Sequence, residues 1–550
     1  MVMLYLSTIL LSVFITVSLI PIMTRLAARF QMVDFPDPRK IHTIPVPRIG
    51  GLAMALGASV PVILWTTADD FLRAYFIGAG VLVLFGLVDD RKGLGHKAKF
   101  AGQIVAALIA VFYGGVRIDS LGTLLPDWVQ LPQWFAVSLS VVAVVGVTNA
   151  INLADGLDGL AGGISLLSFC FIGYLAWLMG NNSVVLLSLS LAGAIFGFLR
   201  FNTYPASLFM GDTGSQLLGF SAIVLALMIT QGDTPLSPVL PLIILGFPVL
   251  DTLTVMVERA RERRPLFSAD KNHFHHRLIR LGLSHAEAVF VIYTIQAMMI
   301  VSAILFRYQS DWLLMAGYMA FSVVTISLFA VADRHALRVR KSDMIEGALA
   351  VKLRTIRDNN WTIKISFGLS ELIIPLLFIF SCFLPARVPI YAAVMSSCSV
   401  LLIAGAFIFF KKKYLRGCLR LVLYLTIPVV LYLAEGERAV WMNDDLSLLY
   451  RLCFGVVALF VILTVRFTRR MKGFRVSTMD FLIIFIAIIV PNLTGQFVRS
   501  NNMGLLAVEI IVFFFSYEVL INEVREKFNA LTLSTLAAAV LLGVRGFTGS

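Results

Sequence analysis

Uninterrupted apolar runs of about 18 to 23 residues recur along this chain, and a run of that length crosses a hydrocarbon core of about 30 Å as a single helix. Such runs fall near 3–24, 49–67, 72–88, 100–115, 133–151, 160–179, 182–199, 214–230, 238–257, 285–306 and 311–332. A basic, polar interval at 333–362 follows, and then further runs near 363–384, 388–410, 418–433, 447–465, 479–497, 503–521 and 529–544. The expected fold class is all-α: a polytopic helical membrane protein with about 11 spans before the basic interval and about seven after it. Three regions result, a membrane domain at 1–332, a linker at 333–362 and a second bundle at 363–550. Composition agrees. Of 550 residues only 14% are charged, against about 25% in soluble chains.

The basic residues set the sidedness. With the N-terminus outside, alternate connections fall inside, and about 37 of the 45 Lys and Arg lie in or beside them, the excess expected of cytoplasmic loops. The formal charge of +13 is spread over those short loops, so it is no nucleic-acid signature. The first thirty residues lack a basic n-region and a small-residue cleavage site, and read as a spanning helix. Cys170, Cys382, Cys398, Cys418 and Cys453 form no close pair and read as packing residues.

Chemistry gathers in the inside loops. The stretch VTNAINLADGLDGLAGG (147–163) carries Asn149, Asn152, Asp155 and Asp158 between two apolar runs. Carboxylates at a membrane edge need partners, a metal ion or a polar substrate, and the three-residue spacing of Asp155 and Asp158 puts both on one helical face. Asp89 and Asp90 are adjacent at the end of a span. Neighbouring carboxylates repel without a cation, and Mg²⁺ takes one or two carboxylates plus phosphate oxygens; a solvated loop is the alternative. The proline-rich loop at 33–51 carries Lys40, His42 and Arg48, and reads as either a positive-inside loop or an anion-binding one. In RFNTYPASLFMGDTGS (200–215), Asp212 sits among small residues at a helix start, a position that favours phosphate, with Asn202 ten residues upstream. Phe209 suits either stacking on a base or anchoring at the membrane edge. The loop 258–280 holds Arg263, Arg264 and the cluster His273, His275 and His276. Zinc sites usually add Cys or wider His spacing, so these imidazoles read as phosphate contacts. Asp251, inside the preceding span, is a further carboxylate in need of a partner. Together the loops offer the equipment of phosphoryl transfer at a membrane surface.

The ordered set Asp89-Asp90, NAINLADGLDGL (149–160), FMGDTGS (209–215) and HFHH (273–276) resembles the polyprenyl-phosphate N-acetylhexosamine-1-phosphate transferase family over roughly residues 1–332. The His-x-His-His form looks like the branch transferring a simple N-acetylhexosamine phosphate such as GlcNAc, and less like the phospho-MurNAc-pentapeptide translocases. The resemblance implies a Mg²⁺-dependent reaction, with Mn²⁺ as an alternative, in which a UDP-sugar and polyprenyl phosphate give polyprenyl-diphospho-sugar and UMP. That is an initiating step of cell-envelope polysaccharide synthesis. It implies that Asp212 binds the metal together with the Asp89-Asp90 pair, one of which serves as base or nucleophile. Asp155, Asp158, Asn202 and Phe209 would hold the nucleotide. The histidine loop with Arg263 or Arg264 would contact the diphosphate. Expected surroundings are the inner or plasma membrane, with the site on the cytoplasmic face and no nucleic acid. A second copy of the chain and glycan-assembly proteins bound through the C-terminal region are candidate partners. A transporter and an inactive scaffold are the rival readings. No motif distinguishes 363–550, whose clusters at 411–413 and 468–475 read as positive-inside anchors.

Overall fold

The computed structural model describes residues 2–27, 29–34, 45–67, 69–126, 128–265, 272–334, 360–409, 412–436, 441–467, 503–523 and 528–549. The expected span near 479–497, the basic cluster at 468–475 and nearly all of the 333–362 interval lie outside them. The described residues are almost wholly helical, and eleven of their helices are long and apolar enough to cross a membrane. This is an all-α, multi-pass membrane protein. The described helices fall into two compact units, one before Lys341 and one after Ser342.

The first unit contains α1 (Val2–Ala27), α2 (Gly50–Trp65), α3 (Asp70–Lys92), α4 (His96–Phe112), α5 (Gln133–Ala154), α6 (Leu160–Leu178), α7 (Asn182–Asn202), α8 (Gly211–Thr230), α9 (Leu240–Ile244), α10 (Gly246–Arg261), α11 (Phe274–Arg280), α12 (His285–Phe306) and α13 (Asp311–Arg334). Its centre is α8, whose apolar window is 94% buried while that of α1 is 22% buried. The reason lies in its sequence. GDTGSQLLGFSA puts Gly, Ser and Thr on the faces that meet α2, α3 and α5, and small residues let helix backbones approach closely. Thus a methyl group on Gly86 of α3 would sit 2.4 Å from Thr213 Cα.

The run at 238–257, expected as one span, is broken into α9 and α10 at Leu245. Pro248 has no N–H to give the carbonyl of Ile244. That oxygen instead accepts from Gln296 Nε2 at 2.7 Å and Ser168 Oγ at 3.4 Å, and the carbonyl of Gly246 accepts from Tyr318 Oη at 3.1 Å. Side chains of α6, α12 and α13 therefore satisfy backbone that would otherwise be stranded in hydrocarbon.

At the α8 C-terminal end of this unit, buried Asp311 accepts from Thr123 N (2.6 Å), Thr123 Oγ1 (2.9 Å) and Ser237 Oγ. This carboxylate ties two loops to the start of α13, with both of its oxygens engaged. At the other end, α3, α5, α7 and α10 finish and α4, α6, α8 and α12 begin, so the described polar stretches of this unit's inside connections lie there.

The second unit contains α14 (Asn360–Ser381), α15 (Ile390–Phe409), α16 (Lys412–Glu435), α17 (Asp444–Phe467), α18 (Met503–Glu523) and α19 (Phe528–Thr548). Its core is aromatic and aliphatic, built on Phe378, Phe454, Phe513 and Tyr517 among Leu, Ile and Val.

Candidate active site

The site grows from the start of α8. Asp90, on the last turns of α3, accepts from Asp212 N at 2.8 Å through Oδ1, and from Thr213 N at 3.1 Å and Thr213 Oγ1 at 2.7 Å through Oδ2. A carboxylate on the free N–H groups of a helix start is a favourable cap. Gly211 makes the fit possible. Its φ is +68°, and a Cβ there would lie 2.5 Å from Asp90 Oδ2. Both oxygens of Asp90 are thus committed to aiming the first turn of α8.

That turn presents Asp212. Its Oδ1 accepts from Asn152 Nδ2 at 2.6 Å, and its Oδ2 lies 3.0 Å from Lys99 Nζ. The same ammonium is 2.6 Å from Asp89 Oδ2, so Lys99 bridges the two carboxylates. Asp89 Oδ1 accepts from Leu94 N at 2.5 Å, because α3 stops at Gly93 in a left-handed turn that folds the chain back over its last turn. Asn152 also donates to Ser215 Oγ at 2.7 Å. Asn149, one turn earlier, donates to Gln103 Oε1 at 2.6 Å, and Gln103 Nε2 reaches Gln216 Oε1 at 3.3 Å. These amides lock α4, α5 and α8 together beneath the carboxylates.

The 155–159 turn forms the next wall. Asp155 follows α5. Burial, followed by the charges of Asp212, Asp158 and Asp90, pushes its carboxyl up to about 7 against a weaker opposing pull from Arg48. Asp158 Oδ2 accepts from Ala206 N at 2.9 Å. Asn202 is buried with both amide atoms on main chain, accepting from Gly159 N (3.0 Å) and donating to Leu208 O (2.9 Å). Phe209 is held by its backbone, donating to Pro47 O and accepting from Gly50 N, which ties the 46–50 strand end to the site. Arg48 pairs with Asp34 at 2.6 Å. Lys40 and His42 lie outside the described residues.

The histidines close the far side. His273 Nδ1 is 2.9 Å from Asp251 Oδ2, and Asp251 Oδ1 accepts from Phe274 N at 2.7 Å, so the carboxylate inside α10 anchors the start of α11. His275 is 3% exposed, and a Cβ on Gly156 would sit 2.2 Å from its Nε2, which has no hydrogen-bond partner. Burial, then the neighbouring His276 and His273, pushes His275 down to about 3, so its ring is neutral. His276 packs on it at a centroid distance of 4.2 Å. Arg263 and Arg264 are exposed on the turn after α10, with Arg264 paired to Glu262.

Comparison with known proteins fits this geometry. The sequence profile described as glycosyl transferase family 4 matches residues 72–230, the segment that runs from α3 through α8. Over 298 residues the chain is 39% identical to the probable undecaprenyl-phosphate N-acetylglucosaminyl 1-phosphate transferase of Bacillus subtilis, covering 53% of this chain and 82% of that one. The chain belongs to this transferase family. It is also 33% identical over 302 residues to the undecaprenyl-phosphate alpha-N-acetylglucosaminyl 1-phosphate transferase of Escherichia coli K12, covering 54% and 82%. To the decaprenyl-phosphate N-acetylglucosaminephosphotransferase of Mycobacterium tuberculosis it is 36% identical over 307 residues, covering 49% and 74%.

Within this member of the family, sequence reading passed over Lys99, Gln103, Thr213 and Gln216. Lys99 looked like one more basic residue of an inside loop. Its position three residues into a helix that begins right after the Asp89-Asp90 turn was the available signal. Among the described residues no cluster of three or more His, Cys, Asp or Glu is spaced to hold a metal. A hard cation asks for less. Asp89 and Asp212 already share one positive charge through Lys99, and two carboxylates plus substrate oxygens suit Mg²⁺. The donor set therefore fits that ion at Asp89 and Asp212, whereas Asp90 is taken by α8.

Proposed function

We propose that this protein transfers N-acetylglucosamine 1-phosphate from a UDP-sugar to polyprenyl phosphate, giving polyprenyl-diphospho-GlcNAc and UMP, on the cytoplasmic face of the bacterial plasma membrane. The observation that carries the reading is the Asp89–Lys99–Asp212 arrangement at the membrane-edge end of a fold whose named relatives act on undecaprenyl or decaprenyl phosphate.

An oxygen of the lipid phosphate attacks the β-phosphorus of the UDP-sugar. The bond from that phosphorus to the bridging oxygen breaks, and its electron pair leaves with UMP. A phosphate monoester has a second pKa near 6, so the attacking group is already largely dianionic at pH 7 and needs little help from a base. Asp89 matches that modest demand, because its oxygens are engaged by Leu94 N and Lys99 Nζ. It positions the reactants in a direct attack. Asp90 aims α8, and Asn152 fixes the rotamer of Asp212. Asp89 and Asp212 would hold Mg²⁺, which would supply neutralisation of the diphosphate charge. Neutral His275 against Gly156 shapes the wall on which the diphosphate rests without adding a charge of its own.

The test is direct. Purified full-length protein is incubated with Mg²⁺, polyprenyl phosphate and single UDP-sugars, and UMP is measured. Lipid-dependent UMP from UDP-GlcNAc is expected; silence with every UDP-sugar would overturn the reading.

A further inference from the structure

We propose that Lys99 is a placeholder cation. In the resting protein its ammonium holds Asp89 and Asp212 at ligand spacing; a divalent ion displaces it, and the freed ammonium turns onto the phosphoryl oxygens of the substrate. This rests on the transferase reading above and extends it to how the site stays assembled before substrates arrive.

The geometry is specific. Lys99 Nζ lies 2.6 Å from Asp89 Oδ2 and 3.0 Å from Asp212 Oδ2, and those side chains are only 4% and 22% exposed. Two such carboxylates in close quarters repel each other unless a cation lies between them. The Asp90 cap and the Asn152 hydrogen bond prevent Asp212 from swinging away. The lysine side chain itself is 28% exposed, so its tip has a path toward solvent. Its position suits exchange. Lys99 lies on the first turn of α4, just past the loop 93–95, and a four-carbon stem carrying a rotatable ammonium can move without moving the helix. The Asp90 carboxylate, bound to the backbone N–H of Asp212 and to Thr213, lies beside this cluster and favours a cation of higher charge. A divalent ion takes over both carboxylates from a singly charged lysine, and the displaced ammonium then faces an anionic substrate. A permanent structural ion pair would behave differently, because removing the lysine would loosen the pair and weaken metal binding.

Mn²⁺ serves as the probe, counted as free ion by electron paramagnetic resonance with full-length protein in detergent, without lipid or nucleotide. Lys99→Met is expected to bind Mn²⁺ roughly tenfold more tightly than wild type, because a competing charge is gone, while UMP formation falls roughly 100-fold. Equal or weaker Mn²⁺ binding overturns the placeholder, and so does unchanged turnover. A second measurement needs no variant. In wild type, Mn²⁺ should raise the reaction of Lys99 with an amine acylating reagent, read by peptide mass spectrometry, relative to Lys92 and Lys97; no rise also overturns the idea. Failure of wild type to form UMP would instead sink the transferase reading and leave the Mn²⁺ comparison standing.

Discussion

The two units solve the same problem, burying polar groups in a helical bundle, in opposite ways. In the first, glycines stand where backbones or functional groups touch: Gly51 against Gly214, Gly86 against Thr213, Gly156 against His275 and Gly211 against Asp90. In the second, Gly368, Gly405, Gly417 and Gly455 face open space, and large aromatic rings fill the core. The polar groups differ likewise. Those of the first unit chain together across α3, α4, α5 and α8 and end in a cluster of carboxylates around one ammonium. In the second, separate local pairs form: Glu518 takes Arg420 at 2.9 Å and Tyr424 at 2.6 Å, Tyr450 meets Ser381 at 2.9 Å, and Arg545 donates to the carbonyls of Cys382 and Pro385. Such paired polar groups add specificity of packing. The carboxylates of the first unit instead gather around the single Lys99 ammonium, and they form the candidate site.

The contrast can be broken at its strongest point first. Asp212→Asn should lower UMP formation about 100-fold or more at saturating lipid, through lost charge at the cation position. Near-wild-type turnover would remove the first unit's claim to a site. Gly211→Ala should come next. The positive φ and the Asp90 contact together cost about 1–3 kcal/mol, visible as a lower Tm and as lost activity from a misaimed α8. The matched change in the second unit, Gly405→Ala in α15, should leave stability unchanged or raise it by about 0.5–1 kcal/mol, read as an equal or higher Tm, since Ala is the better helix former and nothing crowds the position. Equal damage at the two glycines would erase the difference between the units.

A subtler effect concerns Asp155. Its carboxyl titrates near 7 in the folded protein, above its ordinary value of 3.8. The folded state therefore retains a proton that the unfolded chain has released, so stability falls as pH rises from about 4 through 7. Metal-free wild type should lose Tm over that window, and Asp155→Asn should lessen that loss. An unchanged slope in the variant would assign the pH dependence to another group. Smallest of all should be the effect of ending the chain at residue 341. UMP formation is expected within about threefold of full length, because compact units with their own cores fold separately. A collapse of activity would show that the second bundle supports the site.

Much of this was legible in the residues. Apolar runs located nearly every described helix of both units, because a 30 Å hydrocarbon slab leaves a chain little choice of length. Where Pro248 cannot donate to Ile244, the expected single span became α9 and α10, and the sequence showed the proline but not the Gln296 and Ser168 side chains that make the break tolerable. The motif aspartates stood out as charges in the wrong solvent. Their division of labour did not.

Sequence by itself determined that the chain is a helical membrane protein and pointed to Asp89, Asp90, Asp155, Asp158 and Asp212 at span ends and connections of one side, since hydrophobic length and the spread of Lys and Arg are local properties read along the chain. Only the tertiary structure decided that Asp90 caps α8 while its neighbour Asp89 shares Lys99 with Asp212, and that Asn202 and Asn149 serve packing contacts. Adjacent identical side chains on a helix point about 100° apart, and what each one meets depends on which distant helix crosses there.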